Sequence, residues 1–226
     1  MNTDVIMVGV ILNRFRQFLN KCIMDNNMKE QFKSTEKLYH YTSLDSACKI
    51  LSSMTLRFGA IHELNDPQEA KRAIFTELHA DQLQWNNLRN RFRQLSLSQD
   101  DSIPGFRIQS MWSHYADRSN GVCLVFDKKK LLGKFDDKQY VWHGKINYID
   151  SHTGDLILGS DTNLFNRLKD VFFKKDKSWA SEQEYRIVSY SSDITQVDIS
   201  DSLMGVILYA SPEDVRQNMA DAKALA

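Results

Sequence analysis

Apolar side chains recur at Val8, Ile11, Leu12, Phe15, Phe18, Leu19, Cys22 and Ile23. This spacing fits a 3.6-residue period and predicts a helix over about residues 5–32, ended or broken at Asn26-Asn27. Leu38-Tyr39-His40-Tyr41 then reads as a short strand with Leu38 and His40 on one face. Thr42 or Ser43 is the expected N-cap of a helix over 44–51. Thr55–Phe58 looks like a second strand. Asn65-Asp66-Pro67 is a helix-start signal, and the pattern from Gln68 to about Leu97 predicts a charged helix. After a polar loop at 98–105, strands are expected at 106–111, 122–126, 141–148 (with a bulge at Gly144), 196–199 and 205–209. Trp112–Asp117 reads as a short helix or turn, Lys128–Leu132 as a helical turn, 163–173 as an amphipathic helix, and Ser211 onwards as a last helix.

Helices come first, mixed elements next, and strands concentrate late, which predicts an α+β fold. The expected organisation is an N-terminal helical segment, residues 1–36, followed by a single α+β domain over 37–226. The most informative stretch is Trp179–Val188. Read as one strand, it sets Glu182, Glu184 and Arg186 on one face and Gln183, Tyr185 and Ile187 on the other. Two readings compete. The stretch is a solvated edge strand whose charges pair with one another, or it presents a carboxylate and a guanidinium into a cleft.

Composition narrows the classes. The 226 residues suit one sizeable domain, and an apolar fraction of 42% is globular. Lys plus Arg balances Asp plus Glu at 29 each, which argues against a broad nucleic-acid surface. Cys22, Cys48 and Cys123 are isolated, so neither a zinc knuckle nor a disulfide framework is indicated, and a reducing cytoplasm is the expected compartment. The apolar run near the N-terminus is too short for a membrane span and lacks the features of a leader, so no membrane association is expected. It suits packing or a homodimer contact through the N-terminal helix.

No Walker loop, G-x-G-x-x-G, H-E-x-x-H or G-x-S-x-G occurs. His62-Glu63 with Asp66 fits a solvated helix entrance better than a metal site. His79 and His152 have no supporting context, and His143 reads as structural. Four clusters remain. His40-Tyr41-Thr42 sits at a strand-to-helix junction, where a helix N-terminus favours an anion such as a pyrophosphate. Asn65-Asp66-Pro67 suits a helix start. Met111-Trp112-Ser113-His114-Tyr115 either plugs the core or stacks on a flat ligand. The fourth is Glu182, Glu184 and Arg186.

These blocks occur in an order that resembles the bacterial family called domain of unknown function 2971. The blocks are Leu38–Ser43, Leu64–Pro67, Met111–Asp117 followed by Gly121-Val122-Cys123 and Phe126-Asp127, and Trp179-x-x-Glu182-x-Glu184-Tyr185-Arg186. The resemblance spans about residues 38–209 and departs from the usual Asn-Asp-Pro-Phe-Glu form at Gln68. The layout is also similar to the His–Tyr–Glu arrangement of ADP-ribosyltransferases. That second resemblance implies a split α+β fold of two small sheets holding NAD as substrate, with no metal. It implies that His40 binds the nicotinamide ribose, that Tyr41 or Thr42 supports the cofactor, and that Tyr115 or Trp112 stacks on the nicotinamide. Glu184 would stabilise the ribosyl cation, and Arg186 would bind a phosphate or hold Glu184; His114 belongs with the ligand-facing aromatics.

The expected function is therefore transfer of ADP-ribose to a protein or nucleic-acid acceptor, an activity associated with toxins and antiviral defence. The rival expectations are a non-catalytic nucleotide- or partner-binding module using Trp112, His114, Tyr115 and Arg186, and a metal-dependent hydrolase using His40, His114, Glu182 and Glu184.

Overall fold

The computed structural model describes residues 35–60, 91–150, 172–190 and 194–208. The expected helices over 5–32 and from 211 lie outside these residues, as do all but the last two residues of the one over 163–173. So do Asn65-Asp66-Pro67, most of the expected 68–97 helix, and His62, His79 and His152. The described architecture is α+β. Among the described residues, no helix is long and apolar enough to cross a membrane.

The first strand, β1 (Lys37–Thr42), leads into helix α1 (Leu44–Ser53). Ser43 is the N-cap: its hydroxyl accepts from the Ser46 amide at 3.2 Å, satisfying one of the unpaired donors of the first turn. Short strands β2 (Thr55–Arg57) and β3 (Gly59–Ala60) follow, then β4 (Arg93–Gln99). A 3₁₀ turn at Gly105–Arg107 precedes helix α2 (Gln109–Tyr115). Next come β5 (Val122–Asp127), helix α3 (Lys128–Gly133), β6 (Val141–Lys145), β7 (Asn147–Ile149) and β8 (Lys174–Asp176). A 3₁₀ helix at Lys177–Glu182 runs into β9 (Glu184–Ser189), and β10 (Gln196–Asp198) and β11 (Leu203–Leu208) complete the set.

The main sheet has the order β11-β5-β1-β4-β9-β6, with β3 also pairing β4. Every pairing in it is antiparallel. A small antiparallel pair β10–β2 and a parallel pair β7–β8 flank it. Strand alternation gives the main sheet two different faces. One face carries Leu38, Leu95, Leu97, Leu124, Phe126 and Ile187 into the larger core with Ala47, Leu56, Phe58 and Leu131. The other begins apolar, with Tyr39, Tyr41, Cys123 and Val125 packed against Trp112 and Ala116 of the α2 region. Two strands further along, the register sets Ser98 beside Tyr39, then Glu184 beside Ser98 and Arg186 beside Ser96. The same face thus changes from aromatic to charged between β1 and β9.

Four local expectations change. Residues 93–97 form a strand, not the end of a helix. Leu95 and Leu97 alternate with Gln94, Ser96 and Ser98, and a period of two with β9 paired along its length prevails over helical propensity. Residues 106–111 form no strand: Gly105–Arg107 is 3₁₀ and α2 begins at Gln109. Gly144 is not bulged, since it pairs in regular register with Arg186. The interruption falls at Ile146, whose amide donates to the Glu184 carbonyl at 3.0 Å. The Trp179–Ser189 stretch is not one strand. It is a 3₁₀ helix through Glu182, a left-handed Gln183 at φ 48°, and then β9.

Gly121 closes the turn between α2 and β5. Its amide donates to the Ala116 carbonyl at 2.7 Å. A Cβ here would stand 2.2 Å from the Thr42 carbonyl oxygen and 2.9 Å from Ala116 backbone atoms, none of which can swing away. Gly121→Ala is expected to cost about 2 kcal/mol or more in urea unfolding. Gly205→Ala, where a Cβ meets nothing within 4 Å, should stay within about 1 kcal/mol of wild type.

Candidate functional site

Glu182 closes the 3₁₀ helix, while Glu184 and Arg186 project from one face of β9. Gln183 makes this junction. Its left-handed backbone turns the chain, and its side chain is fully engaged. Ser102 Oγ and the Ile103 amide donate to its Oε1 at 2.6 and 3.0 Å. Its Nε2 donates to the carbonyls of Gln99 and Ile103, each at 2.8 Å. These bonds offset the strain of a non-glycine residue at positive φ.

The junction is not a solvated edge. β9 lies between β4 and β6, and all six of its residues are buried. Glu182 and Glu184 are each 4% exposed and Arg186 is 2% exposed. Isolated charges at such depth would be strongly disfavoured, so each must be compensated. Arg186 Nε and Nη2 donate to the two Glu184 oxygens at 2.5 and 3.0 Å, and its Nη1 donates to the Phe172 carbonyl at 2.7 Å. Lys175 Nζ, from β8, donates to Glu182 at 2.7 Å and to Glu184 at 3.1 Å. It also lies 4.7 Å from the centre of the Trp179 ring. Tyr115 donates to the other Glu182 oxygen at 2.9 Å, and the Glu184 amide donates to the Tyr148 hydroxyl at 2.8 Å. Two carboxylates and two cations therefore form a neutral buried quartet.

Burial by itself would push the Glu184 carboxyl up. The Arg186 charge and hydrogen bonds, then Lys175 and Ser96, more than reverse this and hold it down to about 2. Glu184 is ionised at neutral pH. Its contact with Ser96 joins the quartet to the centre of the sheet, where Gln94 Nε2 donates to Ser96 Oγ at 2.8 Å. Ser96 is exposed, although it lies midway along an internal strand. β1 pairs with β4 only at residues 98–99 and β3 pairs only at 93–94. His40, on β1, hydrogen-bonds the Ser96 backbone between these two ladders. Desolvation lowers the His40 imidazole to about 4, with that bond pulling the other way. His40 is therefore neutral at pH 7.

The expected site residues separate into two groups. Tyr115, Glu182, Glu184 and Arg186 come together, and His40 reaches the same cluster through Ser96. Its position on β1 puts its side chain on the Leu38 face, opposite to Glu184. Trp112 is 2% exposed, stands edge-on to Tyr41 at 5.0 Å, and donates Nε1 to the Phe106 carbonyl at 2.8 Å. Tyr41 donates to the Gly105 carbonyl. Both rings are spent in the core. Thr42 is buried at the end of β1, and His114 is exposed on α2, its ring 6.2 Å from that of Tyr115. His143 is bonded to the Tyr185 hydroxyl at 2.8 Å and stacks on that ring, a structural arrangement. Among the described residues no three of His, Cys, Asp and Glu are grouped to hold a metal ion.

Lys175 and Ser96 escaped the sequence reading. Lys175 lies in the basic run Lys174–Lys177, which looks like a solvated segment. Ser96 falls in a stretch whose Leu-Ser-Leu-Ser alternation was the available signal.

Residues 111–187 match the model of a family described as "Protein of unknown function (DUF2971)". The matched span begins with the α2 block and ends within β9, so it contains both members of the Tyr115–Glu182 bond. No curated protein and no solved structure matches the chain.

His40 makes stability pH-dependent. Its folded value lies below the ordinary 6.5, so the unfolded chain binds more protons between about pH 6.5 and 4. Stability present above pH 6.5 is therefore lost as pH falls toward 4. His40→Gln should flatten this slope in thermal denaturation, removing on the order of 2 kcal/mol of acid destabilisation over that window.

Proposed function

We propose that the protein is an ADP-ribosyltransferase-like enzyme that uses NAD as substrate and modifies a macromolecular acceptor. The observation that carries this reading is the exposed Ser96 at the centre of the sheet, with the ionised Glu184 against its hydroxyl and the neutral His40 on its backbone. Breaking the bond between ribose and nicotinamide leaves positive charge on the sugar, and nicotinamide departs neutral without needing a proton. The protein's contribution is then positioning and a fixed negative charge. Glu184 is suited to that task because it is ionised and its orientation is locked by Arg186. In the reaction the acceptor attacks the ribosyl carbon from the opening at Ser96 as nicotinamide leaves, and the proton the acceptor loses passes to solvent at that opening. The divergence of β1 from β4 beyond Tyr39 is the feature that a split-sheet nucleotide site would use.

A binding module without turnover is the second reading. It is favoured by the saturation of Glu184, both of whose oxygens are already occupied by Arg186 and Lys175. Turnover distinguishes the two. Wild-type protein incubated with NAD labelled in the adenylate moiety should transfer label to protein or nucleic acid and release nicotinamide. Glu184→Gln, checked for retained fold by circular dichroism, should lose transfer by about 100-fold or more. Binding of NAD by calorimetry with no nicotinamide release from wild type would replace the enzyme reading with the binding one.

A further inference from the structure

The quartet has an organiser that the reaction scheme does not use. We propose that Lys175 is the positioning residue of the candidate site, tying the Glu182 and Glu184 carboxylates into one geometry so that Tyr115 and Ser96 are held in register on either side. Its catalytic consequence rests on the ribosyl-transfer reading; its role in assembling the cluster does not.

The geometry is specific. Lys175 is 5% exposed, and its ammonium meets one oxygen of each carboxylate. Tyr115 engages the remaining Glu182 oxygen, and Arg186 Nε the remaining Glu184 oxygen. Lys175 is therefore the link between an α2–Glu182 half and a β9–Arg186 half. It comes from a different short sheet, β7–β8, so it also ties that sheet to the main one. Lys175 meets Glu182 and Trp179 from the 3₁₀ helix and Glu184 from β9, and the charged and titratable groups on those carboxylates are Tyr115 and Arg186.

Charge balance supplies a readout that packing alone would not move. With Lys175 replaced by Met, two buried carboxylates face one guanidinium. Like charges in a desolvated site do not both stay ionised, so one carboxyl takes up a proton. Its folded affinity for protons then exceeds that of the unfolded chain, and stability falls as pH rises above the ordinary carboxyl range. The wild type shows no such loss, because Glu184 is depressed and its contribution is fully present at those pH values.

Thermal midpoints of full-length wild type, Lys175→Met, Lys175→Arg and the double variant Lys175→Met/Glu182→Gln, measured at pH 5 and pH 8, test the proposal. The gap between wild type and Lys175→Met should widen by about 5 °C or more from pH 5 to pH 8. Lys175→Arg retains the charge and should show no widening. The double variant removes one charge of each sign and should lose the pH dependence. If Lys175→Met does not fold at pH 8, recovery of folding in the double variant supports the proposal. A gap that is equal at both pH values, or a double variant with the same pH dependence as the single one, would overturn it. In label transfer from NAD, Lys175→Met should lower kcat about tenfold with little change in KM. Absence of transfer in wild type alongside a widening gap would sink the ribosyl-transfer reading and leave Lys175 as the organiser. Transfer in wild type alongside a flat gap would do the reverse.

Discussion

The neutralisation of four buried charges at the head of β9 is the constraint on which the rest of this arrangement depends. Lys175, Glu182, Glu184 and Arg186 come from one 3₁₀ helix and two strands, and each would be strongly disfavoured alone at its observed depth. Their pairing spans the end of the 3₁₀ helix and the left-handed turn at Gln183, which holds its own conformation through Ser102, Ile103 and Gln99. Such a cluster adds less net stability than an apolar core of the same volume, yet losing one member costs far more than losing one apolar contact. That asymmetry suits specificity better than strength: few other packings of these elements satisfy all four groups.

The surrounding fold holds the cluster by apolar means. Leu38, Leu97, Phe126 and Ile187 fill one side of the sheet, while Tyr39, Tyr41 and Trp112 fill the first half of the other. The aromatic half anchors α2, which carries Tyr115 to Glu182. The loop after β4 is anchored twice, by Gln183 and by Asp100. Asp100 accepts from the Tyr39 hydroxyl and the Gly105 amide, both at 2.8 Å. Packing thus sets the positions, and the charges use them. A functional reading follows naturally at Ser96, where strand pairing is interrupted and an internal strand meets solvent.

Short-range pattern was readable where a residue's surroundings depend on its own element. The expected strands at 38–41 and 122–126 and a cap at Thr42 or Ser43 follow from local chemistry, and the structure has β1 over 37–42, β5 over 122–127 and the cap at Ser43. Reading failed where a neighbour distant in the chain decided. Residues 93–97 carry an alternating Leu-Ser signal, but charges upstream suggested a helix until β9 and β3 supplied partners. The Trp112 cluster was legible as a block, with core plug and ligand platform left as alternatives; Tyr41 and Phe106, brought alongside by the fold, claim its ring and its N–H and decide for the core.

For the charged junction the division is clear. Sequence alone singled out Glu182, Glu184 and Arg186 as a group, because they lie within five residues of chain. It did not determine that the group is buried, that Gln183 breaks the strand, or that Lys175 completes the balance. Burial depends on β4 and β6 lying on both sides of β9, and no periodicity within β9 encodes its neighbours. The counter-charge arrives from a separate sheet, and a lysine in a basic run looks the same whether it faces water or two carboxylates. Those decisions belong to tertiary structure, since electrostatic free energy depends on what surrounds a charge as much as on the charge itself.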